Sequence, residues 1–446
     1  MKKLFGTDGI RGHANEFPLD QKTVSIVGSA LARCFRERLD RDPRFVTGRD
    51  TRESGPSIEA AFHAGALAQG AQCESAGVIT TPGVAYATSA FEFDAGIVIS
   101  ASHNPYRDNG IKIFSPDGKK IDEETERSIE AAVLAEPAVE VSLAEVATHR
   151  TERFRDEYIR HLRRRSDGPS LAGMNLVIDC ANGAASSLAP GLFRSLGASV
   201  QAINDRPDGK NINRDSGSTH LDHVVQTVIQ DGADVGIAFD GDADRALFVD
   251  EKGTIVDGDA TLWIMAQNLQ ERGQLKNSTV VATVMSNIGL QIALAARGIE
   301  LLRANVGDKY VLDKLLETGS EIGGEQSGHI IFPEISLVGD GMMTALLLLK
   351  AIRELNVPLS QATQGFTRYP QILLNIPVRE KRPFDMVPAI AEAAKRVENE
   401  LRGDGRLLLR YSGTEKLARV MIEGKDQTGI EAQARQLAEV IGVALG

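Results

Sequence analysis

Three times in succession the chain runs a short β-branched segment into a polar loop and on into a helical stretch. A chain patterned this way must bury apolar strands under covering helices. That restricts it to α/β units with mixed, mostly parallel sheets. In the first unit Phe45–Val46 leads into the turn-rich Thr47–Ser54, and a helical pattern runs from about Ser57 to Gly70. Ala95–Ser100 (AGIVIS) is an apolar run of strand length, and a helix is expected over Glu123–Ala135. The second unit has a strand at Asn175–Asp179, a helix starting near Ala184 and a strand at Ala233–Phe239. The third has a strand at Ser278–Thr283, a helix at Asn287–Arg297, a strand leading to Gly323–Gly324 and a helix at Gly341–Leu355. The last piece differs. Strand Ile372–Val378, helix Met386–Arg402, strands Leu407–Arg410 and Ala418–Glu423, and helix Gly429–Leu445 make a small α+β domain. The expected domains are 1–150, 151–254, 255–366 and 367–446. The three restarts imply a repeat of structure, with no sequence repeat visible.

Charge narrows the function classes. With 50 basic and 61 acidic residues the net charge is −11, which argues against a general nucleic-acid or anionic-membrane binder. Arg153–Arg165 is a basic helical segment with Phe154, Tyr158 and Leu162 on one face, and it reads as a helix with a solvated charged side. Cys34, Cys73 and Cys180 are odd in number and widely spaced, so a reducing cytoplasm is expected rather than a disulfide framework. The N-terminus MKKLFGTDGIRG has no apolar core, so no signal peptide is expected, and Met342–Leu349 is too short to span a bilayer.

Four loops, one in each expected domain, hold residue types suited to chemistry. Ser100–Pro105 follows the AGIVIS strand, at the kind of sheet edge where open α/β folds bind ligands. Ser102 is a candidate nucleophile with His103 beside it, or part of an ordinary polar turn. Lys112 follows closely, as a cation or a proton-transfer group; a base role would require a lowered pKa. Asp240, Asp242 and Asp244 place carboxylates at i, i+2 and i+4, an oxygen-rich site for a divalent cation or, in the ordinary alternative, an acidic solvated turn, which the apolar strands on both sides make less attractive. This is not an EF-hand, although Glu251 falls at loop position 12, because Arg245 stands at position 6 where glycine is needed. Arg245 can hold a phosphate or pair with the carboxylates. Gly323–His329 is a glycine-rich turn whose polar groups can read several hydroxyls, or a plain loop with a surface histidine. Arg410–Glu415, with Arg419 beyond, offers hydroxyls, backbone N–H groups and two guanidiniums to an anion, or is a hairpin turn with surface arginines. Phe5–Gly12 (FGTDGIRG) reads as a structured loop in which Arg11 can reach a phosphate. Together these are the parts of phosphoryl transfer on a sugar phosphate. GxxxxGK[ST] is absent, so the serine itself is the expected phosphoryl carrier, which suits an internal transfer rather than a kinase.

The motifs FGTDGIRG, ISASHNPYRDNGIKIF, DGDADR, GGEQSGH and RYSGTE…RVMIEG, in that order over essentially the whole chain, resemble those of the α-D-phosphohexomutase superfamily. FGTDGIRG and GEQSGH point to its bacterial glucosamine branch; the glucose/mannose branch usually has Met at the position of Gln326 and is the alternative. The resemblance implies four domains around a central cleft. It makes Ser102 the phosphorylated serine, and Asp240, Asp242 and Asp244, with the serine phosphate, the ligands of one Mg²⁺. Lys112, Arg11 and Arg245 match active-site basic residues, and His329 a proposed acid/base. Glu325 and Ser327 match the sugar-hydroxyl reader, and Arg410, Ser412, Gly413, Thr414 and Arg419 the clamp for the distal phosphate. The implied reaction interconverts glucosamine 6-phosphate and glucosamine 1-phosphate through a glucosamine 1,6-bisphosphate, which with other sugar bisphosphates also serves as primer. It implies a cytoplasmic enzyme that supplies UDP-N-acetylglucosamine for the cell wall. The partner is a small sugar phosphate, with no nucleic acid or membrane, and a homodimer through the first domain is one expectation. Lys416 stands where the family usually has Pro, and Tyr106-Arg107 departs from the usual pair; both flank motifs and bear on kinetics.

Overall fold

The computed structural model describes residues 4–6, 8–135, 142–401, 405–412 and 416–446. The chain divides into two compact units, Met1–Thr283 with Ala304–Thr363, and Val284–Arg303 with Gln364–Gly446.

The first unit begins with a hairpin, β1 (Phe5–Gly6) and β2 (Gly9–His13), then α1 (Gln21–Leu39), β3 (Arg44–Arg49), α2 (Gly55–Ala68) and β4 (Gln72–Val78). It continues with α3 (Thr81–Ala90), β5 (Ala95–Ile99), β6 (Asp108–Phe114) and α4 (Glu123–Ala135). The strand order is β1-β2-β6-β5-β3-β4. β3 lies parallel to β4 and β5, whereas β6 is antiparallel to β5 and to β2. The parallel pairing expected from the restarting pattern is thus confined to the strands joined by helices. The loop from β5 to β6 is too short for a helical crossover, so the chain must return antiparallel. β5 is buried along its whole length, with Phe45, Ile97, Phe62, Val27 and Leu31 packed in one apolar cluster.

After α5 (Thr151–Arg165) the plan repeats in β7 (Asn175–Asp179), α6 (Ala189–Ser195), β8 (Ser199–Ile203), α7 (Asp222–Asp231), β9 (Val235–Phe239), β10 (Ala246–Asp250) and β11 (Ile255–Val256). Their order is β11-β10-β9-β7-β8, with β7 parallel to β8 and β9, and β10 antiparallel to β9. The helix expected near Ala184 is a 3₁₀ turn, Ala184–Ser187; the α-helix starts only at Ala189, where Pro190 suits a first turn. On α5, Phe154, Tyr158 and Leu162 are buried and Arg163, Arg164 and Arg165 are exposed, as the periodicity requires.

The third repeat contains α8 (Gly258–Glu271) and β12 (Thr279–Thr283); α9 (Ile288–Ala296) and most of β13 (Glu300–Ala304) fall in the second unit. It resumes with α10 (Asp308–Thr318), β14 (Gly323–Gly324), β15 (Ile330–Ile331), α11 (Gly341–Leu355) and α12 (Leu359–Ala362). β14 runs parallel to β12 and turns back antiparallel into β15. The second unit ends in β16 (Gln371–Pro377), α13 (Pro388–Leu401), β17 (Gly405–Tyr411), β18 (Leu417–Gly424) and α14 (Gln427–Leu445), the β-α-β-β-α order read from sequence. Its sheet, β16-β18-β17, is antiparallel, and Ile390, Val397, Val420, Ile422, Leu437 and Ile441 fill its core. Cys34, Cys73 and Cys180 are free thiols. Among the described residues no helix is long and apolar enough to cross a membrane.

Candidate active site

Ser102 sits in the tight return between β5 and β6 with φ of +50°, left-handed backbone that a non-glycine residue occupies at a cost of roughly 1–3 kcal/mol. Several bonds hold it there. Its N–H donates to Ser100 Oγ at 2.9 Å, and its carbonyl accepts from Arg52 Nη2 at 3.2 Å and Asn213 Nδ2 at 2.8 Å. The same two side chains donate to the Asn104 carbonyl, at 2.6 and 3.0 Å. Arg52 is buried and paired with Asp50, which also accepts from Ser100 Oγ at 2.5 Å. Ser102 Oγ donates to Asp240 Oδ2 at 2.5 Å and lies 3.3 Å from His103 Nδ1. Burial, then Arg245 and Arg11, push the His103 imidazole below its ordinary pKa, so it is neutral beside the hydroxyl.

The return from β9 to β10 carries the aspartates. Asp240, Asp242 and Asp244 are buried and offer ligand oxygens all within 4.8 Å of one another. The close approach depends on Gly241, where a Cβ would meet the Ser102 carbonyl oxygen at 2.5 Å. Asp242 Oδ2 accepts from Thr81 Oγ1 at 2.6 Å and from Lys112 Nζ at 2.9 Å, while Asp244 Oδ2 accepts from Lys112 at 3.2 Å. The other oxygens, Asp242 Oδ1 and Asp244 Oδ1, are buried and lack hydrogen-bond partners. Buried, unpartnered carboxylate oxygens are costly. Two such oxygens, with the Asp240 carboxylate close beside them, fit a hard divalent cation. Burial, and then the neighbouring Asp244 and Asp242 charges, raise Asp240 well above the usual carboxylate range. Asp244 goes the other way: burial would raise it, but Lys112, His329 and Arg245 hold it well below.

Burial alone would favour a neutral Lys112, but Asp242, Asp244 and Asp8 keep the ammonium well above its ordinary pKa. A proton-transfer role as a base would need the opposite, a depressed pKa. β2 pairs with β6 so that Arg11 lies opposite Gly110, and Arg11 is ion-paired with Asp8. Phe5–Gly6 and Gly9–Gly12 of this motif are thus paired strands, with β2 beside the strand that carries Lys112. Arg245 donates its backbone N–H to Asp240 Oδ1 at 3.2 Å, and its Nε lies 3.8 Å from Asp244.

His329 is buried, not on the surface. Its Nδ1 is 3.7 Å from Asp244 Oδ2, and its Nε2 accepts the Gly339 N–H at 3.2 Å. Burial lowers its pKa, but Asp244, Asp308 and Glu325 outweigh that and raise it. Glu325 Oε1 accepts the Gly307 N–H at 3.1 Å, and Ser327 Oγ is buried without a hydrogen-bond partner.

In the second unit Arg410 and Arg419 are direct cross-strand partners on β17 and β18. Like charges in that register repel. Burial and then Arg419 lower the Arg410 pKa, and its Nε lacks a hydrogen-bond partner. A bound anion would relieve both. Ser412 is buried, and Lys381 Nζ donates to its carbonyl at 2.6 Å, adding a third cation. Gly413 and Thr414 lie outside the described residues.

Asp8, Asp50, Arg52, Thr81, Asn213 and Lys381 did not stand out in the sequence. Asp8 lay inside a flagged motif, and Asp50 and Arg52 lay in the turn-rich stretch after β3. Thr81 and Asn213 are polar residues brought to the site only by the fold.

The chain matches four family models: Phosphoglucomutase/phosphomannomutase, alpha/beta/alpha domain I at residues 2–140, domain II at 156–253, domain III at 257–369 and the C-terminal domain at 373–440. It is 48% identical to a phosphoglucosamine mutase of Caldicellulosiruptor bescii over 446 residues, 99% of each chain. It is 47% identical to a phosphoglucosamine mutase of Symbiobacterium thermophilum over 448 residues, 100% of each. Among solved structures, a phosphoglucomutase/phosphomannomutase family protein of Burkholderia thailandensis shares the fold with a TM-score of 0.81 at 24% identity, over 99% of this chain and 97% of that one. An N-acetylphosphoglucosamine mutase of Aspergillus fumigatus, solved with GlcNAc-6P and magnesium, does so with a TM-score of 0.69 at 17% identity, over 99% and 96%.

Proposed function

This chain belongs to the phosphoglucosamine mutase family, and from that premise we propose that it interconverts glucosamine 6-phosphate and glucosamine 1-phosphate through a phosphoserine at Ser102. The observation that carries the reading is the meeting of Ser102 Oγ with Asp240 beside the cationic Lys112.

Phospho-Ser102 donates to the O1 hydroxyl of glucosamine 6-phosphate. A P–O1 bond forms as the P–Oγ bond breaks, and the hydroxyl proton passes to a base, for which His329 is the candidate. Ser102 Oγ takes up a proton as it leaves. Glucosamine 1,6-bisphosphate results and turns about, and its 6-phosphoryl group returns to Ser102: the P–Oγ bond forms as the P–O6 bond breaks, Ser102 Oγ gives up its proton and O6 takes one up. Lys112, Arg11 and Arg245 offset the charge that builds on the transferring group. Asp240, Asp242 and Asp244, with the phosphate on Ser102, would hold one Mg²⁺. When bound it supplies further charge neutralisation. Glu325 and Ser327 read the sugar hydroxyls, and Arg410, Ser412, Gly413, Thr414 and Arg419 hold the distal phosphate. The reading carries with it the domains 1–150, 151–254, 255–366 and 367–446, a cytoplasmic setting, a sugar bisphosphate as primer and a homodimer through the first domain.

The test is a coupled assay on pure protein with Mg²⁺ and a trace of sugar bisphosphate, comparing glucosamine, glucose and mannose 6-phosphates. Strong preference for the amino sugar is expected. Preference for glucose or mannose would move the enzyme to the sister branch.

A further inference from the structure

On the reading of this chain as a phosphohexomutase, we infer that Lys120 and Asp308 are positioning residues that set the spacing between the phosphoryl-transfer groups and the sugar-reading loop, and thereby tune sugar selection. Lys120 lies just beyond β6, where it bridges back to Phe114 at the end of the strand that carries Lys112. Its ammonium donates to Asp8 Oδ1 at 2.9 Å and to Asp308 Oδ1 at 2.8 Å.

Each carboxylate leads to a different part of the site. Asp8 Oδ2 faces Lys112 Nζ at 3.6 Å and pairs with Arg11. Asp308 Oδ2 faces His329 Nε2 at 3.9 Å. Asp308 also opens α10 directly after Gly307, and the Gly307 N–H donates to Glu325 Oε1. Gly307 has φ of +127°, which side-chain-bearing residues rarely adopt, so this link to Glu325 depends on glycine. A continuous path thus runs from Lys112 and Arg11 through Asp8, Lys120 and Asp308 to Glu325. A second tie, Lys309 to Glu123 at 3.2 Å, joins α10 to α4 at the surface.

Without the ammonium, Asp8 and Asp308 would face each other as like charges in a half-buried place. Their repulsion would separate the Glu325 loop from Ser102 while leaving Ser102 and the aspartates in contact. The loss should therefore fall on sugar fit more than on the chemical step. A merely structural ion pair would lower stability without changing which sugar is preferred.

Lys120→Met, Lys120→Arg and Asp308→Asn are assayed on the full chain with glucosamine 6-phosphate and glucose 6-phosphate, and binding of both compounds is also titrated directly. Lys120→Met should raise the KM for glucosamine 6-phosphate about tenfold or more, with kcat within about threefold of the parent. Its preference over glucose 6-phosphate should narrow by a similar factor, in turnover and in binding. Asp308→Asn should act in the same direction, and Lys120→Arg, whose fork can reach both carboxylates, should restore most of the loss. Unchanged KM and preference, or a fall in kcat shared equally by both sugars, would overturn the inference. Should Lys120→Met fail to fold, Asp308→Asn decides on KM and sugar preference alone, because Asp308 also faces His329 and can change kcat by that route. A parent enzyme that binds glucosamine 6-phosphate but does not turn it over sinks the proposed function instead, and the binding ratios then decide this inference.

Discussion

The loop after β5 and the loop after β9 hold the same place in two sheets of matching strand order, β6-β5-β3-β4 and β10-β9-β7-β8. Each reverses the chain into an antiparallel strand, and each has one non-glycine residue in left-handed backbone, Ser102 at +50° and Ala243 at +54°. Their chemistry diverges through what supports them. The serine loop is gripped at its carbonyls by Arg52 and Asn213, which leaves the hydroxyl turned to Asp240. The aspartate loop is gripped at its carboxylates by Thr81 and Lys112, and at the Ala243 carbonyl by the Gly341 N–H. One backbone device thus presents a neutral hydroxyl in one repeat and a cluster of carboxylates in the next. Rigid sheet edges set the geometry, and a few distant side chains decide the function.

Breaking the serine side should have the largest effect. Ser102→Ala is expected to lower turnover by about a thousandfold or more with the fold intact; near-normal mutase activity would sink the mechanism. Breaking the aspartate side should cost about a hundredfold. Asp240→Asn should also remove repulsion from Asp242 and Asp244, so the melting temperature in EDTA should hold or rise while the stabilisation by Mg²⁺ disappears. An Asp240→Asn protein still stabilised by Mg²⁺ to the parent's extent would refute the cage. The braces come next. Asn213→Ala leaves Arg52 as the remaining side-chain grip, and should lower stability by about 1–2 kcal/mol and kcat/KM by about tenfold. Urea unfolding and steady-state kinetics check both.

The smallest effect on turnover, and the sharpest contrast, concerns pH. Asp340 caps α11 beside Gly341, accepts from Tyr158 Oη at 2.8 Å, and is pushed by burial from 3.8 up to about 6. A raised carboxyl favours the fold while both states are protonated, and that advantage is lost as pH rises through the folded-state value. Relative to Asp340→Asn, the parent should therefore lose on the order of 3 kcal/mol between about pH 4 and pH 6. Asn213→Ala should show no such difference from the parent, since the side chain it removes is an uncharged amide. Parallel pH curves for the parent and Asp340→Asn would show that the aspartate loop's support does not titrate.

Much of this architecture was legible because period and punctuation agree. AGIVIS, Glu123–Ala135 and Gly341–Leu355 are strongly patterned segments and form the expected elements. The direction of β6 and β10 was harder to see, since local pattern does not say whether a strand joins its sheet parallel or antiparallel. The site was legible as separate loops, each with an ordinary alternative, and motif resemblance joined them. Arg52, Asn213 and Thr81 reach Ser102 and Asp242 only through tertiary contacts, so no spacing announces them. The opposite pKa shifts of Asp240 and Asp244 depend on where Lys112 points, which a run of aspartates does not encode.

The most direct test follows the phosphoryl group. The protein is labelled with a radioactive sugar bisphosphate, the labelled residue is mapped by peptide mass, and the label is chased with glucosamine 6-phosphate in Mg²⁺. The account predicts label on Ser102 that passes to the sugar and appears in a glucosamine bisphosphate. Label on another residue, or its release to water as inorganic phosphate while glucosamine 6-phosphate is present, would contradict it.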